Sequence, residues 1–232
     1  MTSSVQPQEF GVQIAHESFD FEAFTLQDPV PTGAQLLEKA QRRPAASHQI
    51  FQVLAGGAME SLRRDEIVDL RVPGREHFIT FLSDRSFRLH VNEQPREWGR
   101  QIITGRQLKQ LVGLRPADHE VFHIVVGGED RLIGDDDTFD LCAAEVERFA
   151  TRRLVIEIFV NTRPHQVHHR VMDFWSVVRL GYPDANPADK KAEYTVTYSH
   201  GPRANPAGNL VAGQSVELKG GMQFYVLVTD KS

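Results

Sequence analysis

Cysteine is almost absent from this 232-residue chain: Cys142 stands by itself, so no internal disulfide can form and no cysteine-paired metal spacing can be built. Within Phe139-Asp-Leu-Cys-Ala-Ala144 it reads as a small buried hydrophobe. A basic surplus is missing too. With 26 Lys+Arg against 31 Asp+Glu and a net charge of -5, the chain has no excess of cations to neutralise phosphates, which argues against nucleic acid as a partner. Long apolar runs are missing as well, and none approaches the roughly 20 residues that span a bilayer. The start, Met1-Thr-Ser-Ser-Val-Gln-Pro-Gln8, lacks the basic and apolar regions of a secretory leader. A cytoplasmic location with no membrane partner is expected.

The usual signatures of catalysis and metal binding are lacking in the same way. Gly127-Gly128 is not followed by the Gly-Lys-Ser of a phosphate loop, and no serine sits in a Gly-x-Ser-x-Gly elbow. Asp135, Asp136 and Asp137 lack the glycine and distal glutamate of a calcium loop, and read as a solvated acidic turn. His165, His168 and His169 fall in a segment read as a strand and turn, where i and i+3 side chains point to opposite faces. No catalytic residue, no metal and no cofactor are therefore expected.

What the chain does contain is a repeat. Thr32-Gly-Ala-Gln-Leu36 recurs as Thr104-Gly-Arg-Gln-Leu108, and Arg43-Pro-Ala45 as Arg115-Pro-Ala117, both at an offset of 72. His48-Gln-Ile-Phe51 answers to His119-Glu-Val-Phe122, and Glu76-His-Phe-Ile-Thr80 to Glu147-Arg-Phe-Ala-Thr151, at 71. A third copy is sparser: Val91-Asn-Glu-Gln-Pro95 recurs as Val160-Asn-Thr-Arg-Pro164 at 69. A period near 70 suits small domains with their own cores, not solenoid units.

One copy shows its own logic. Phe87-Arg-Leu-His-Val91 alternates like a half-buried strand, and Asn92-Glu-Gln-Pro95 turns the chain towards a second strand at Trp98. Thr104 is placed as the N-cap of a helix whose Leu108, Leu111 and Val112 share a face, with Gly113 ending it. A strand from His119, a turn at Gly127-Gly128, a short strand near Phe139 and a closing strand at Glu147–Thr151 follow. The order strand, strand, helix, strand, short strand, strand recurs in each copy and predicts one helix laid across a twisted mixed sheet.

That order resembles the β-grasp fold of ubiquitin. As an ordered set, Pro31-Thr-Gly-Ala-Gln-Leu-Leu37, Asp84-Arg-Ser-Phe87, Trp98-Gly99, Glu147-Arg-Phe149, Val160-Asn161 and Lys219-Gly-Gly-Met-Gln-Phe224 are similar to the bacterial multiubiquitin proteins. The expected class is therefore α+β, with three tandem ubiquitin-like β-grasp domains at 10–83, 84–152 and 153–232 after a disordered segment at 1–9. Three separately cored beads are expected.

The resemblance implies a protein modifier in a ubiquitination-like pathway with antiviral defence as a setting. Its partners would be a ubiquitin-activating-like enzyme, a conjugating-like enzyme and a JAB-type metalloprotease, with the chemistry in those enzymes. Ubiquitin ends in Gly-Gly, whereas this chain ends Thr229-Asp-Lys-Ser232, and Gly220-Gly221 reads as a turn before the last strand. Thr229, Asp230, Lys231 and Ser232 are thus the expected conjugation tail. The joints at Ser83–Ser86 and Arg152-Arg153 are too short to be glycine-rich cleavable tails, so the modules are expected to act together. Trp98 and Trp175 are candidate partner anchors, since tryptophan is enriched at binding hot spots, although each also fits a core role. A non-covalent scaffold built from the sheet faces is the alternative to a modifier.

Overall fold

In Phe10–Ala15, Val12 and Ile14 are buried while Gly11 and Gln13 are not, the period of 2 by which a strand puts one row of side chains into a core. The computed structural model describes residues 8–54, 56–142, 146–189 and 191–230, and builds three five-stranded sheets on that pattern. Residues 1–7 of the segment expected to be disordered lie outside those described.

The first module comprises β1 (Phe10–Ala15), β2 (Phe21–Leu26), α1 (Gly33–Lys39), β3 (His48–Val53), β4 (Met59–Leu62) and β5 (His77–Leu82). The second comprises β6 (Phe87–Val91), β7 (Gln94–Trp98), β8 (Ile102–Thr104), α2 (Gly105–Gln110), β9 (His119–His123), β10 (Arg131–Ile133), β11 (Thr138–Asp140) and β12 (Glu147–Arg153). The third comprises β13 (Ile156–Val160), β14 (Arg163–Val167), β15 (Val171–Asp173), α3 (Phe174–Gly181), β16 (Ala192–Ser199), β17 (Gly208–Leu210), β18 (Ser215–Glu217) and β19 (Met222–Asp230).

The sheet orders are β2-β1-β5-β3-β4, β7-β6-β12-β9-β10 and β14-β13-β19-β16-β17. In each, the first strand runs parallel to the last and antiparallel to its hairpin partner. One helix crosses one face of each sheet, so the chain is α+β with three tandem ubiquitin-like β-grasp repeats. Among the described residues no helix is long and apolar enough to cross a membrane.

The Thr-Gly-x-Gln-Leu repeat has a local cause. Thr32 and Thr104 each accept from the backbone of the glutamine three residues on, whose side chain returns to the threonine N–H, a complete capping box. The glycine after each threonine is needed because a Cβ there would collide with the carbonyl of Arg63 or of Gly134. The leucines, Leu36 and Leu108, are fully buried. In the third module Asp173 caps α3 through Ser176, and Phe174 fills the glycine position.

The chain divides into two compact units, Met1–Arg152 and Arg153–Ser232. The second has its own core, in which Phe174, Val177 and Val178 of α3 meet Ile158, Val160, Val196, Phe224 and Val226. The first unit departs from the expectation of separate beads. Val12, Ile14, Leu36, Leu37, Ile50 and Phe78 form a core private to the first module. The second module's core of Leu89, Val91, Trp98, Leu108, Val121 and Phe149 also takes in Ala15, Phe51, Ile79 and Phe81 from the first. The physical reason is that β5 is apolar on both faces, and the face away from α1 must be covered as well.

Candidate functional site

Each sheet has an outer face that its helix does not cover. In the first module Phe51 pairs with Ile79 across β3 and β5, and these two and Phe81 are 1%, 0% and 0% exposed, because the second module lies on them. In the second module the repeat places Phe122, Ala150 and Arg152 at those positions, with the Arg152 guanidinium 4.3 Å from the centre of the Phe122 ring. In the third, Thr197 pairs with Tyr225, and Tyr225 and Leu227 are 46% and 65% exposed.

Trp98 sits at the centre of the junction between the first two modules. Its ring stacks on Phe19 at 5.8 Å and takes the edge of Phe81 at 4.7 Å, and its Nε1 donates to the Ile102 carbonyl at 3.1 Å. Gly99 beside it is required, since a Cβ there would lie 2.3 Å from Phe81 Cγ. Gly57 (φ 79°) brings its backbone against Leu111–Gly113, and Gln107 Nε2 donates to the Glu17 carbonyl at 2.9 Å. The expectation that Trp98 is a partner anchor is corrected: it is 0% exposed, and what it anchors is the neighbouring module of the same chain.

Trp175 is half-buried at the edge of the third core, edge-on to Phe174 at 5.2 Å and to Tyr194 at 5.8 Å. It borders an open groove shared with Tyr194, Leu210 and Val211. The expected conjugation tail is divided. Thr229 and Asp230 are residues of β19, paired with Glu193 and Ala192 of β16, so they belong to a sheet and not to a free end. Lys231 and Ser232 lie outside the described residues. Gly221 turns the chain into β19 with φ 79°, its N–H bonded to the Glu157 carbonyl.

The remaining candidates are absorbed locally. The Lys109 Nζ bonds the Asp135 carboxylate, Arg106 faces Asp136 at 3.4 Å, and Asp137 accepts from the Gly134 N–H. His168 Nδ1 donates to the Leu154 carbonyl at 2.9 Å, while His165 lies half-buried on β14 and His169 is exposed. Among the described residues no group of three or more His, Cys, Asp or Glu could hold a metal ion. Cys142, read as buried, is exposed, whereas Leu141 before it is the residue that enters the second module's core.

Sequence reasoning passed over Phe81, Tyr225 and Leu227, and took Gly99 only as part of a motif. The usable signal lies in β5 and β19, whose Phe-Ile-Thr-Phe-Leu and Phe-Tyr-Val-Leu-Val runs are apolar on both strand faces, Thr80 being the one polar member, as expected of strands with something to bury on both faces.

No curated protein matches the chain. The family model described as Multiubiquitin matches residues 18–83, 87–153 and 156–230. Those three matches take in most of the sequence and each centres on one β-grasp sheet with its helix, so the chain belongs to the multiubiquitin family.

Proposed function

We propose that the chain is a ubiquitin-like protein modifier of a bacterial ubiquitination-like pathway, activated at its C-terminal carboxylate. A ubiquitin-activating-like enzyme would form the acyl-adenylate from ATP with release of pyrophosphate. A conjugating-like enzyme would carry the acyl group onward, and a JAB-type metalloprotease would remove it from its target. The observation that supports this reading is the tandem run of ubiquitin-like modules matched by the family model. Since β19 is paired through Asp230, removing Lys231 and Ser232 alone spares every described strand. Incubating the protein with a partner activating enzyme and ATP should give pyrophosphate exchange, lost when those two residues are deleted. Equal exchange by the shortened chain would sink the proposal.

A second reading, a non-covalent scaffold, draws support from the outer faces. One of them already binds a β-grasp module without any covalent chemistry, and another exposes Tyr225 and Leu227. In that case complexes with partners would survive loss of Lys231 and Ser232.

A further inference from the structure

A turn closes onto the start of each helix, at residues 63–66, 134–137 and 211–214. In each, the fourth residue's N–H bonds the first residue's carbonyl, and the fourth carbonyl accepts from the opening residue of the helix, Gly33, Gly105 or Phe174. The first two modules add a second bond, from Ala34 to the Arg64 carbonyl at 2.9 Å and from Arg106 to the Asp135 carbonyl at 3.0 Å. Among the described residues no matching bond joins Trp175 to Ala212, and the Trp175 N–H goes to the Asp173 carboxylate instead.

The cause is the residue that opens the helix. Gly33 and Gly105 allow the turn to press on the helix, where a Cβ would collide with the Arg63 or the Gly134 carbonyl. Phe174 carries that Cβ and a ring beyond it, so the turn at 211–214 must stand off. The space it vacates is an open groove of about 530 Å³ between α3 and the edge of the sheet, lined by Phe174, Trp175, Tyr194 and Val211. Trp175 stands where the other copies have Ala34 and Arg106, and Tyr194 where they have His48 and His119, so this aromatic lining belongs to the third copy.

Two further features define what the groove can hold. The charged residues that line it, Asp189 and Glu193, are both acidic and both exposed. Rings beside carboxylates suit a cation on an apolar stem: the stem of an arginine or lysine packs on Trp175 and Tyr194 while its charge meets the carboxylates. The neighbouring strand β17 is the last of its sheet, bonded to β16 on one side, so its other edge can take an added strand.

We propose that this groove binds an extended basic segment of a partner protein, its backbone laid along β17 and its apolar side chains alternating with arginine or lysine. The groove lies on the helix side of the sheet, away from the outer face that carries Tyr225 and Leu227. The site stands whether or not the chain is conjugated to a target.

The test uses the full chain and three fluorescein-labelled octapeptides, read by fluorescence anisotropy: valine alternating with arginine, valine with glutamate, and serine with arginine. The first should bind about tenfold more tightly than either of the others, which lack the cation or the apolar side chains. Val211→Arg and Glu193→Lys alter exposed positions of the groove, and each should weaken the first peptide about tenfold with circular dichroism unchanged. Leu227→Arg, on the outer face, should leave its affinity as it was. No binding of the valine-arginine peptide, equal binding of all three, or full affinity in the Val211→Arg protein would overturn the proposal. So would loss of binding through Leu227→Arg, which would put the peptide on the outer sheet face.

Discussion

Lys109 is 1% exposed, and its Nζ donates to the carbonyls of Pro116 and His119, each at 3.1 Å, and to the Asp135 carboxylate. Leu37 occupies the same place in the first module, 72 residues earlier, so an ammonium has replaced an apolar side chain at a buried site. Removing one partner of a buried pair strands the other, so Lys109→Ala should lower the stability of the first unit by about 3–5 kcal/mol. Lys109→Leu combined with Asp135→Asn should cost markedly less; urea unfolding of the single and double variants reads the coupling. Asn161 shows a second long-range role. Its Nδ2 donates to the Val226 carbonyl at 3.0 Å and its Oδ1 accepts from the Val226 N–H at 2.8 Å, while Asn92 bonds the Thr151 N–H and hydroxyl. The repeated Val-Asn dipeptide was legible as a turn, but not as a bridge to the final strand, because that partner lies 65 residues away in the chain. Asn161→Ala leaves two partly buried backbone groups unpaired and should cost about 1–3 kcal/mol in thermal or urea unfolding of the second unit.

At the scale of single elements, helix starts carry most of the recognisable sequence. Thr104→Ala removes one capping bond and should destabilise the first unit by about 1 kcal/mol. Gly105→Ala should cost more, since its Cβ meets the Gly134 carbonyl and α2 must shift to relieve it. Asp173 links the third helix to pH. The hydrogen bond from the Ser176 hydroxyl, at 2.5 Å, is the largest cause holding its carboxyl below the usual 3.8, while partial burial opposes it. A carboxyl depressed in the folded state contributes stability that is fully present above 3.8 and is lost as pH falls through the lower folded value. Acid unfolding of the fragment 153–232, followed by far-ultraviolet circular dichroism, should therefore show a step below pH 3.8 that Asp173→Asn removes. Thr32, Thr104 and the helix stripes were readable because capping and period-3.6 burial are local, acting within four residues. The short strand near Phe139 was readable too, but the pairing of β8 with β11 and of β15 with β18 was not, because strands of three residues pair with segments more than thirty positions on.

At the scale of the molecule, the first two modules share a core and the third has its own. Residues 8–152 should unfold in a single cooperative transition, whereas a fragment ending at Leu82 would expose Phe51, Ile79 and Phe81 and should aggregate or lose stability. Trp98→Ala, which opens a cavity at the shared core, should cost about 3–5 kcal/mol in that transition, read by urea unfolding of the wild-type and variant proteins followed by circular dichroism. The repeat, the order of strands and helix, and the capping residues were determined by sequence alone, because each rests on residues close together in the chain. Which apolar strand face lies open and which is sealed was decided only by tertiary structure. The same alternation of side chains in β5 and β19 produces a buried Phe81 and an exposed Leu227, and what separates them is a neighbouring sheet that no local pattern encodes.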